Sequence, residues 1–181
     1  MTAVNFYSSS FLDRSSELRT NFQYLQQAIC KKDTKYIVFK RSRPLVESGK
    51  GKEKTLVKLS HDEVKKYFDF DLIQGERWPP CLLYLGRSAG NTDWFALNNA
   101  DSEVNEHFNS LLSERREFAD GYIEGLLIPW EESSITAQAQ SMFHWHDRYR
   151  FCPTCGSKMK VEEAGYKKTC LDTTCRSNKG W

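Results

Sequence analysis

The chain has no apolar run of the roughly 18 residues that a membrane-spanning helix needs, so no membrane partner is expected. Its N-terminal residues lack the basic segment and apolar run of a secretory signal peptide. The net charge of +2 is too small to indicate a nucleic-acid-binding protein by itself. A length of 181 residues excludes two large hydrophobic cores. We therefore expect a soluble, intracellular protein with one ordinary domain and a small appendage.

Common nucleotide-binding motifs and internal repeats are also absent. GxGxxG does not occur, and the segment VESGKGKEK at residues 46–54 contains GKGK without the complete P-loop pattern. No helix is predicted directly after this segment. We predict a flexible loop there, and the incomplete pattern disfavours a P-loop phosphate site.

The six cysteines fall into two classes. Cys30 and Cys81 are isolated beside apolar residues, and no Cys–His pairing accompanies either of them, so both are predicted to be reduced and buried. The other four form two close pairs with two intervening residues in the first pair, four in the second and 14 between the pairs. These four cysteines are Cys152, Cys155, Cys170 and Cys175.

The paired cysteines have the spacing of a structural zinc site. In CPTCG, Pro153 fixes φ and Gly156 lets the backbone turn back, so the first two sulfurs point to one side. The intervening segment predicts a hairpin, because Met159 and Val161 alternate with lysines and EEAG can form the turn. Four thiolates close a tetrahedral zinc site and leave no position for substrate. The sequence therefore predicts a zinc ribbon with Cys152, Cys155, Cys170 and Cys175 as the ligands.

Two other uses of these cysteines are less consistent with the sequence. Disulfides are disfavoured without an export signal, and a redox CxxC motif would require a neighbouring βαβ pattern.

From Arg148 to Trp181 the chain carries eight basic and three acidic residues, a net charge of +5. Zinc with four thiolates contributes −2, which leaves about +3. This charge could face RNA or a phosphate, although a solvated surface is the commoner meaning.

A helix is predicted immediately before the ribbon, at residues 131–149. Ser133 or Ser134 can cap its N-terminus. His144 and His146 are two residues apart and point to different sides of a helix, so they cannot chelate one metal together. Helical spacing places five residues on one packed face: Ile135, Ala139, Met142, His146 and Tyr149.

The first 130 residues contain both strand and helix patterns, which predicts an α+β fold with a mixed sheet. Ser60 and Glu63 have the spacing of a capping box at the start of a short helix. The segment DSEVNEHFNSLLSERREFA has helical spacing through Phe118. Strands are predicted in KYIVFKRSRPLV, TLVKLS, CLLYLG and DWFALN.

Taken together, these segments resemble the NADH pyrophosphatases of the Nudix hydrolase superfamily. The resemblance is carried by AQSMFHWHDRYRFCPTCG at residues 139–156 and GYKKTCLDTTC at 165–175. It continues in LDRSSELR at 12–19, YIVFKRSRPLV at 36–46, LLYLG at 82–86 and DWFAL at 93–97. It implies an N-terminal Nudix-like domain at 1–130, a connecting helix at 131–149 and a zinc ribbon at 150–181.

The resemblance also implies a function. Such enzymes hydrolyse the diphosphate of NAD(H) to nicotinamide mononucleotide and AMP, and some remove NAD caps from RNA. NAD(H) or NAD-capped RNA, a homodimer, and a cytoplasmic or peroxisomal location are therefore expected. In these enzymes a catalytic Nudix domain follows the ribbon, and its glutamates hold Mg²⁺ or Mn²⁺ against the diphosphate.

This sequence departs from that pattern because the Nudix box, Gx5Ex7REUxEExGU with U aliphatic, is missing. The nearest segment, SERREFADG, lacks the upstream glycine and the trailing glutamate pair. We predict no catalytic residues in the chain, and Glu114 and Glu117 are the first candidates to test for a hidden site. We therefore expect a chain that carries structural zinc and lacks the Mg²⁺ or Mn²⁺ ligands, either as a natural short form or as a fragment of a longer protein. The alternative is a non-enzymatic module for dimerisation or for nucleotide or RNA binding.

Overall fold

The computed structural model describes residues 10–51, 53–73, 78–99, 108–119 and 127–179. A seven-stranded mixed sheet lies between two helices, and a two-stranded hairpin follows the second helix. The prediction of an α+β fold is confirmed. The helices are α1 (Phe22–Cys30), α2 (His61–Val64) and α3 (Trp130–Arg148). The strands are β1 (Lys35–Lys40), β2 (Arg43–Ser48), β3 (Lys54–Leu56), β4 (Lys58–Leu59), β5 (Leu82–Arg87), β6 (Asp93–Asn99), β7 (Arg116–Phe118), β8 (Met159–Glu162) and β9 (Lys167–Cys170).

The order of the main sheet is β3-β2-β1-β6-β5, with β4 paired to β1 and β7 paired to β2. Strands β1 and β6 are parallel neighbours, and the other pairs are antiparallel. Strand β5 therefore lies at an edge of the sheet, which makes its outer backbone groups available to another element.

Alternation along the strands divides the core into two layers. In β1, Tyr36 and Val38 pack on the side of α1, whereas Ile37 and Phe39 pack on the side of α3. Because successive side chains point to opposite faces, a strand that is apolar throughout requires cover on both sides. The two helices supply that cover.

A buried carboxylate fixes α1 to the sheet. Asp93 accepts hydrogen bonds from the hydroxyls of Tyr24 (2.7 Å) and Tyr84 (2.9 Å) and forms an ion pair with Lys31 (3.1 Å). Burial, together with the hydrogen bond to Asp93, raises the pKa of Tyr24 to about 12. These contacts compensate for removing the carboxylate from water.

The helix predicted through Phe118 ends earlier than expected. Its first residues, 101–107, lie outside the described part of the chain. Phe108 is helical, a turn follows, and Phe118 belongs to strand β7, which pairs with β2. The helical prediction for Arg115 and Phe118 is therefore wrong, because cross-strand pairing overrides the local helical spacing.

Among the other N-terminal predictions, the capping box and the strands are confirmed, and the loop is shorter than predicted. The Glu63 carboxylate accepts a hydrogen bond from the Ser60 N–H (2.8 Å), so the capping box is confirmed. The strands in KYIVFKRSRPLV, CLLYLG and DWFALN are confirmed, and TLVKLS forms two short strands. Residues 46–48 of the predicted loop belong instead to β2, and Lys54 begins β3.

Helix α3 begins earlier than predicted. It starts at Trp130 after Pro129, so Ser133 and Ser134 are buried within the helix and are not its N-cap. Glu132 explains the difference, since its carboxylate accepts a hydrogen bond from Leu56 N–H (2.7 Å) and pairs with Lys58. This contact across the chain draws the first turn of the helix against the sheet.

The packed face of α3 is partly as predicted. Ile135, Ala139 and His146 are buried, whereas Met142 is only half-buried. Tyr149 lies beyond the helix end and is 51% exposed. Phe143, which was not among the five predicted residues, is buried against Phe39.

The turn of the hairpin β8–β9 packs against the edge strand β5, where Gly165 approaches Leu82 and Leu83. Trp78 N–H donates to the carbonyl of Val161 (3.2 Å), and Val161 and Ala164 belong to the same core as Leu82 and Tyr84. The hairpin therefore continues the core that α1 shares with the sheet. Among the described residues, no helix combines the length and the apolar character needed to cross a bilayer.

Candidate metal centre

The first cysteine pair lies in a tight turn at the start of the ribbon. The Gly156 N–H donates to the carbonyl of Cys152 (2.8 Å), and the Cys152 N–H donates to the carbonyl of Ser157 (2.7 Å). Gly156 has a φ of +76°, which glycine adopts without the steric cost that a Cβ adds. The turn therefore brings Cys155 back beside Cys152.

The second pair is positioned by hydrogen bonds around Asp172. The Cys175 N–H donates to the Asp172 carbonyl (3.1 Å), and the Asn178 amide donates to the carbonyls of Cys170 (3.0 Å) and Asp172 (2.8 Å). Met159 pairs with Cys170 in the β8–β9 register. The predicted hairpin is therefore confirmed, and it places the second pair opposite the first.

All four cysteine sulfurs lie within 4.8 Å of one another. The Sγ atoms of Cys152 and Cys175 are 3.8 Å apart, and those of Cys155 and Cys170 are 3.4 Å apart. Zn–S bonds of about 2.3 Å in a tetrahedron require sulfur separations of about 3.8 Å. The donor set and its spacing therefore fit one zinc ion.

The protonation of these cysteines depends on their surroundings. The Ser177 hydroxyl lies 3.5 Å from Cys152 Sγ and 3.1 Å from Cys175 Sγ, and its hydrogen bond lowers the pKa of Cys152 to about 6. Burial raises the pKa of Cys170 to about 12. Four adjacent thiolates repel one another, so a bound dication is what stabilises all four in the charged form.

Lys168 joins the ribbon to the end of α3. Its ammonium donates to the carbonyls of His146 (3.0 Å) and Tyr149, and it lies 5.0 Å from the centre of the Trp145 ring. A lysine that binds the last carbonyls of a helix satisfies acceptors which have no partner within the helix. Lys168 therefore fixes the direction in which the ribbon leaves the helix.

The remaining candidate residues lie outside the cluster. His144 is exposed and His146 is buried, so the two point apart as predicted. Glu117 lies on β7 and forms an ion pair with Lys54 (2.8 Å), while Glu114 is exposed. Neither glutamate takes part in a metal-binding group within the described residues.

The two isolated cysteines differ from the prediction. Cys30 is exposed at the end of α1, because Leu25 and Ile29 occupy the side of the helix that faces the core. Cys81 is half-buried and packs against the core. The prediction of burial is therefore wrong for Cys30 and holds only in part for Cys81.

Comparison with known proteins identifies the ribbon. A family model described as the NADH pyrophosphatase zinc ribbon domain matches residues 147–177. The NAD-capped RNA hydrolase NUDT12 of Homo sapiens is 34% identical over 97% of this chain and 42% of its own length. The chain thus resembles the NADH pyrophosphatases, and its residues 147–177 match their zinc ribbon. The NAD-capped RNA hydrolase of Schizosaccharomyces pombe is 28% identical over 97% of this chain and 53% of its own length.

The extent of these similarities differs along the NADH pyrophosphatase-like chain. Nudix hydrolase 19, chloroplastic, of Arabidopsis thaliana is 44% identical over 46 residues, or 25% of this chain. The chain spans about half the length of the relatives that it matches over 97% of its own residues. The family resemblance predicted from the sequence is confirmed.

His146 is expected to make the stability of the NADH pyrophosphatase-like chain depend on pH. Burial, with a smaller effect from Lys168, lowers its pKa from 6.5 to about 4, and the Gly165 backbone acts in the opposite direction. Below pH 6.5 the unfolded chain binds a proton that the folded chain excludes. A contribution of about 3 kcal/mol is therefore present above pH 6.5 and lost as the pH falls towards 4.

Urea unfolding at pH 7 and pH 4.5 with saturating zinc measures this effect. His146→Gln should have a smaller difference between the two pH values than the parent protein. His144→Gln, at an exposed position, should retain the parent's difference. Equal pH dependence in the parent and His146→Gln would show that His146 is not responsible.

Proposed function

We propose that this chain is the zinc-stabilised, non-catalytic portion of an NAD(H) diphosphatase-like protein. In this proposal Cys152, Cys155, Cys170 and Cys175 bind one structural zinc ion. The observation that supports it most directly is the four-sulfur cluster within 4.8 Å, inside the segment that matches the NADH pyrophosphatase zinc ribbon. The proposed organisation is an N-terminal Nudix-like domain at 1–130, a connecting helix at 131–149 and a ribbon at 150–181.

The proposed zinc ion stabilises the fold and takes no part in hydrolysis. Four cysteine ligands fill a tetrahedral ion, so no position is open for water or for a phosphate oxygen. Its energetic role is large, because metal binding free energy in such ribbons is also folding free energy. The ion would hold the two cysteine turns together where the hairpin supplies only two short strands.

NAD(H) or NAD-capped RNA is the proposed substrate class of the whole enzyme. Two relatives that match 97% of this chain are named NAD-capped RNA hydrolases, and hydrolysis of the NAD(H) diphosphate is the reaction implied by the family resemblance. That reaction needs carboxylates that hold Mg²⁺ or Mn²⁺ against the diphosphate. The same resemblance favours a homodimer and a cytoplasmic or peroxisomal location.

The non-catalytic part of the proposal rests on the carboxylates. The sequence contains no Nudix box. Within the described residues, the four cysteines form the only group of three or more His, Cys, Asp or Glu side chains close enough to share an ion. The Glu117 carboxylate is already paired with Lys54. A non-enzymatic module for dimerisation or for nucleotide or RNA binding is the second candidate, favoured by exposed aromatic residues beside the ribbon.

The proposal predicts that the zinc-loaded chain alone releases no AMP from NADH in the presence of Mg²⁺ or Mn²⁺. Chromatographic detection of AMP measures this, and Glu114→Gln and Glu117→Gln serve as matched variants. Turnover that persists through repurification and disappears in either variant would contradict the proposal. AMP release that appears only after a separate Nudix domain is added would identify this chain as the non-catalytic portion.

A further inference from the structure

Three large apolar side chains are exposed where α3 meets the ribbon. Tyr149, Phe151 and Leu171 are 51%, 57% and 54% exposed. Single exposed apolar residues are common on proteins, but a group of them at one place indicates an interaction surface. We define these three residues, with the exposed cations Arg148, Arg150 and Lys158, as the junction patch.

Cations and apolar side chains are interleaved in the junction patch. Arg148 and Arg150 alternate along the chain with Tyr149 and Phe151. The Arg150 Nε–H donates to the carbonyl of Asp147 (3.1 Å), which holds one side of the guanidinium against the helix end. The guanidinium is exposed, and its nearest described acidic partner is Asp147 at 3.9 Å.

The ribbon strands bring the other members of the patch together. Phe151 and Lys158 are antiparallel partners, and the Leu171 N–H donates to the Lys158 carbonyl (3.0 Å). Directly opposed residues on adjacent strands have side chains on the same face. Phe151, Lys158 and Leu171 therefore form a row in which the cation lies between the two apolar groups.

The patch leads into a large groove. Arg150, Phe151, Lys158 and Leu171 line a groove of about 1200 Å³, whose other lining residues include Phe143. A flexible chain that binds the patch can therefore continue into a recess between the sheet, α3 and the ribbon.

We infer that the junction patch binds single-stranded RNA. This inference rests on the proposed function, in which NAD-capped RNA belongs to the substrate class, and it assigns the RNA chain to this surface. Exposed aromatic rings stack on bases without sequence preference, and neighbouring Arg and Lys side chains neutralise the phosphates between those bases. A protein-binding patch has a different composition, because the centre of such an interface is depleted of charged residues. Here Lys158 lies between Phe151 and Leu171.

The experiment uses the zinc-loaded chain and an uncapped, fluorescein-labelled single strand of about 12 nucleotides. Fluorescence anisotropy gives the Kd at several salt concentrations. Phe151→Ala and Tyr149→Ala should each weaken binding about 5- to 150-fold, with no change in the salt dependence, because they remove stacking. Arg150→Gln should reduce the slope of log K against log salt by about 0.7, because it removes one phosphate contact.

Matched variants separate this patch from general effects. Trp130→Ala removes another exposed aromatic side chain (43%) at the opposite end of α3, about 28 Å along the helix axis. Lys32→Gln removes an exposed cation in the turn after α1. Both should bind RNA as the parent does. A duplex of the same sequence should bind more weakly, because its bases are not available for stacking.

Zinc content is measured for every variant, because Phe151 is adjacent to Cys152 and its replacement could disturb the ribbon. Tyr149→Ala tests the stacking role at a position that is not adjacent to a cysteine. Parental affinity in both aromatic variants, or an equal loss in Trp130→Ala, would overturn the inference. If the aromatic variants keep RNA binding and change the mass measured by light scattering, the patch contacts protein and the inference is wrong. Uncapped RNA makes the result independent of NAD(H) hydrolysis, so the RNA assay can fail while the zinc and AMP results stand.

Discussion

Cys170→Ser is expected to abolish zinc binding and to destabilise the main sheet together with the ribbon. The parent should contain one zinc per chain, and the variant none. Zinc-binding free energies of about 10–16 kcal/mol in small zinc peptides act as folding free energy. Without the ion, the turn that contains the buried Cys152 loses its metal link to the turn that contains the buried Cys175.

The effect should reach the sheet because the ribbon shares its core. Val161 and Ala164 pack with Leu82 and Tyr84 of the edge strand β5, and Trp78 is hydrogen-bonded to Val161. Loss of the hairpin would expose this apolar surface, at a cost of about 25 cal/mol per Å². Elemental analysis measures the zinc, and thermal unfolding followed by circular dichroism measures the stability.

Cys30→Ser is the matched control, since Cys30 is exposed and lies outside the cluster. It should retain one zinc and the parental unfolding midpoint. Full zinc content in Cys170→Ser would disprove the ligand assignment. Zinc loss with an unchanged midpoint for the sheet would show that the ribbon and the preceding domain fold as independent units.

Gly165→Ala is expected to lower the free energy of unfolding by about 2–5 kcal/mol. Gly165 lies in the turn between β8 and β9 with a φ of +104°, and an added Cβ would be 2.3 Å from Leu83 Cδ2 and 3.3 Å from the Leu82 carbonyl oxygen. Leu83 is fully buried, so its side chain has little room to move. Both the backbone strain and the clash oppose docking of the hairpin.

Two other glycines separate these causes. Gly156 has a φ of +76° and nothing near its Cβ position, so Gly156→Ala adds strain alone and should cost about 1–3 kcal/mol. Gly51→Ala meets neither a positive φ nor a neighbouring atom and should change stability by less than about 0.5 kcal/mol. Urea unfolding of the three variants measures the order of their losses in unfolding free energy. A loss in Gly51→Ala equal to that in Gly165→Ala would disprove the explanation.

Elements with strong local patterns could be predicted from the sequence. Strands β5 and β6 contain the continuous apolar runs LLYL and WFAL, and a residue such as Leu83 or Phe95 has few alternatives to burial. Phe118 shows where this approach fails. It has helical spacing from Phe108, yet it pairs with Leu45 of β2, a residue far away in the chain. Local spacing carries no information about that partner.

The same distinction applies to α3. Ile135 and Ala139 were predicted correctly because the helical period alone places them on one face. The helix start could not be predicted, since it depends on the contact of Glu132 with Leu56 and Lys58. A buried carboxylate needs such partners, and nothing beside Glu132 in the sequence supplies them.

The sequence by itself determined that the four paired cysteines come together. These cysteines lie in two short turns joined by a hairpin, so their spacing brings the sulfurs together before any distant contact is made. The tertiary structure alone decided the surroundings: the burial of His146, the contact of Gly165 with Leu83, the binding of Lys168 to the end of α3, and the row formed by Phe151, Lys158 and Leu171. Each depends on packing or pairing between elements that are separate in the chain, and a local pattern of residues does not specify which elements meet.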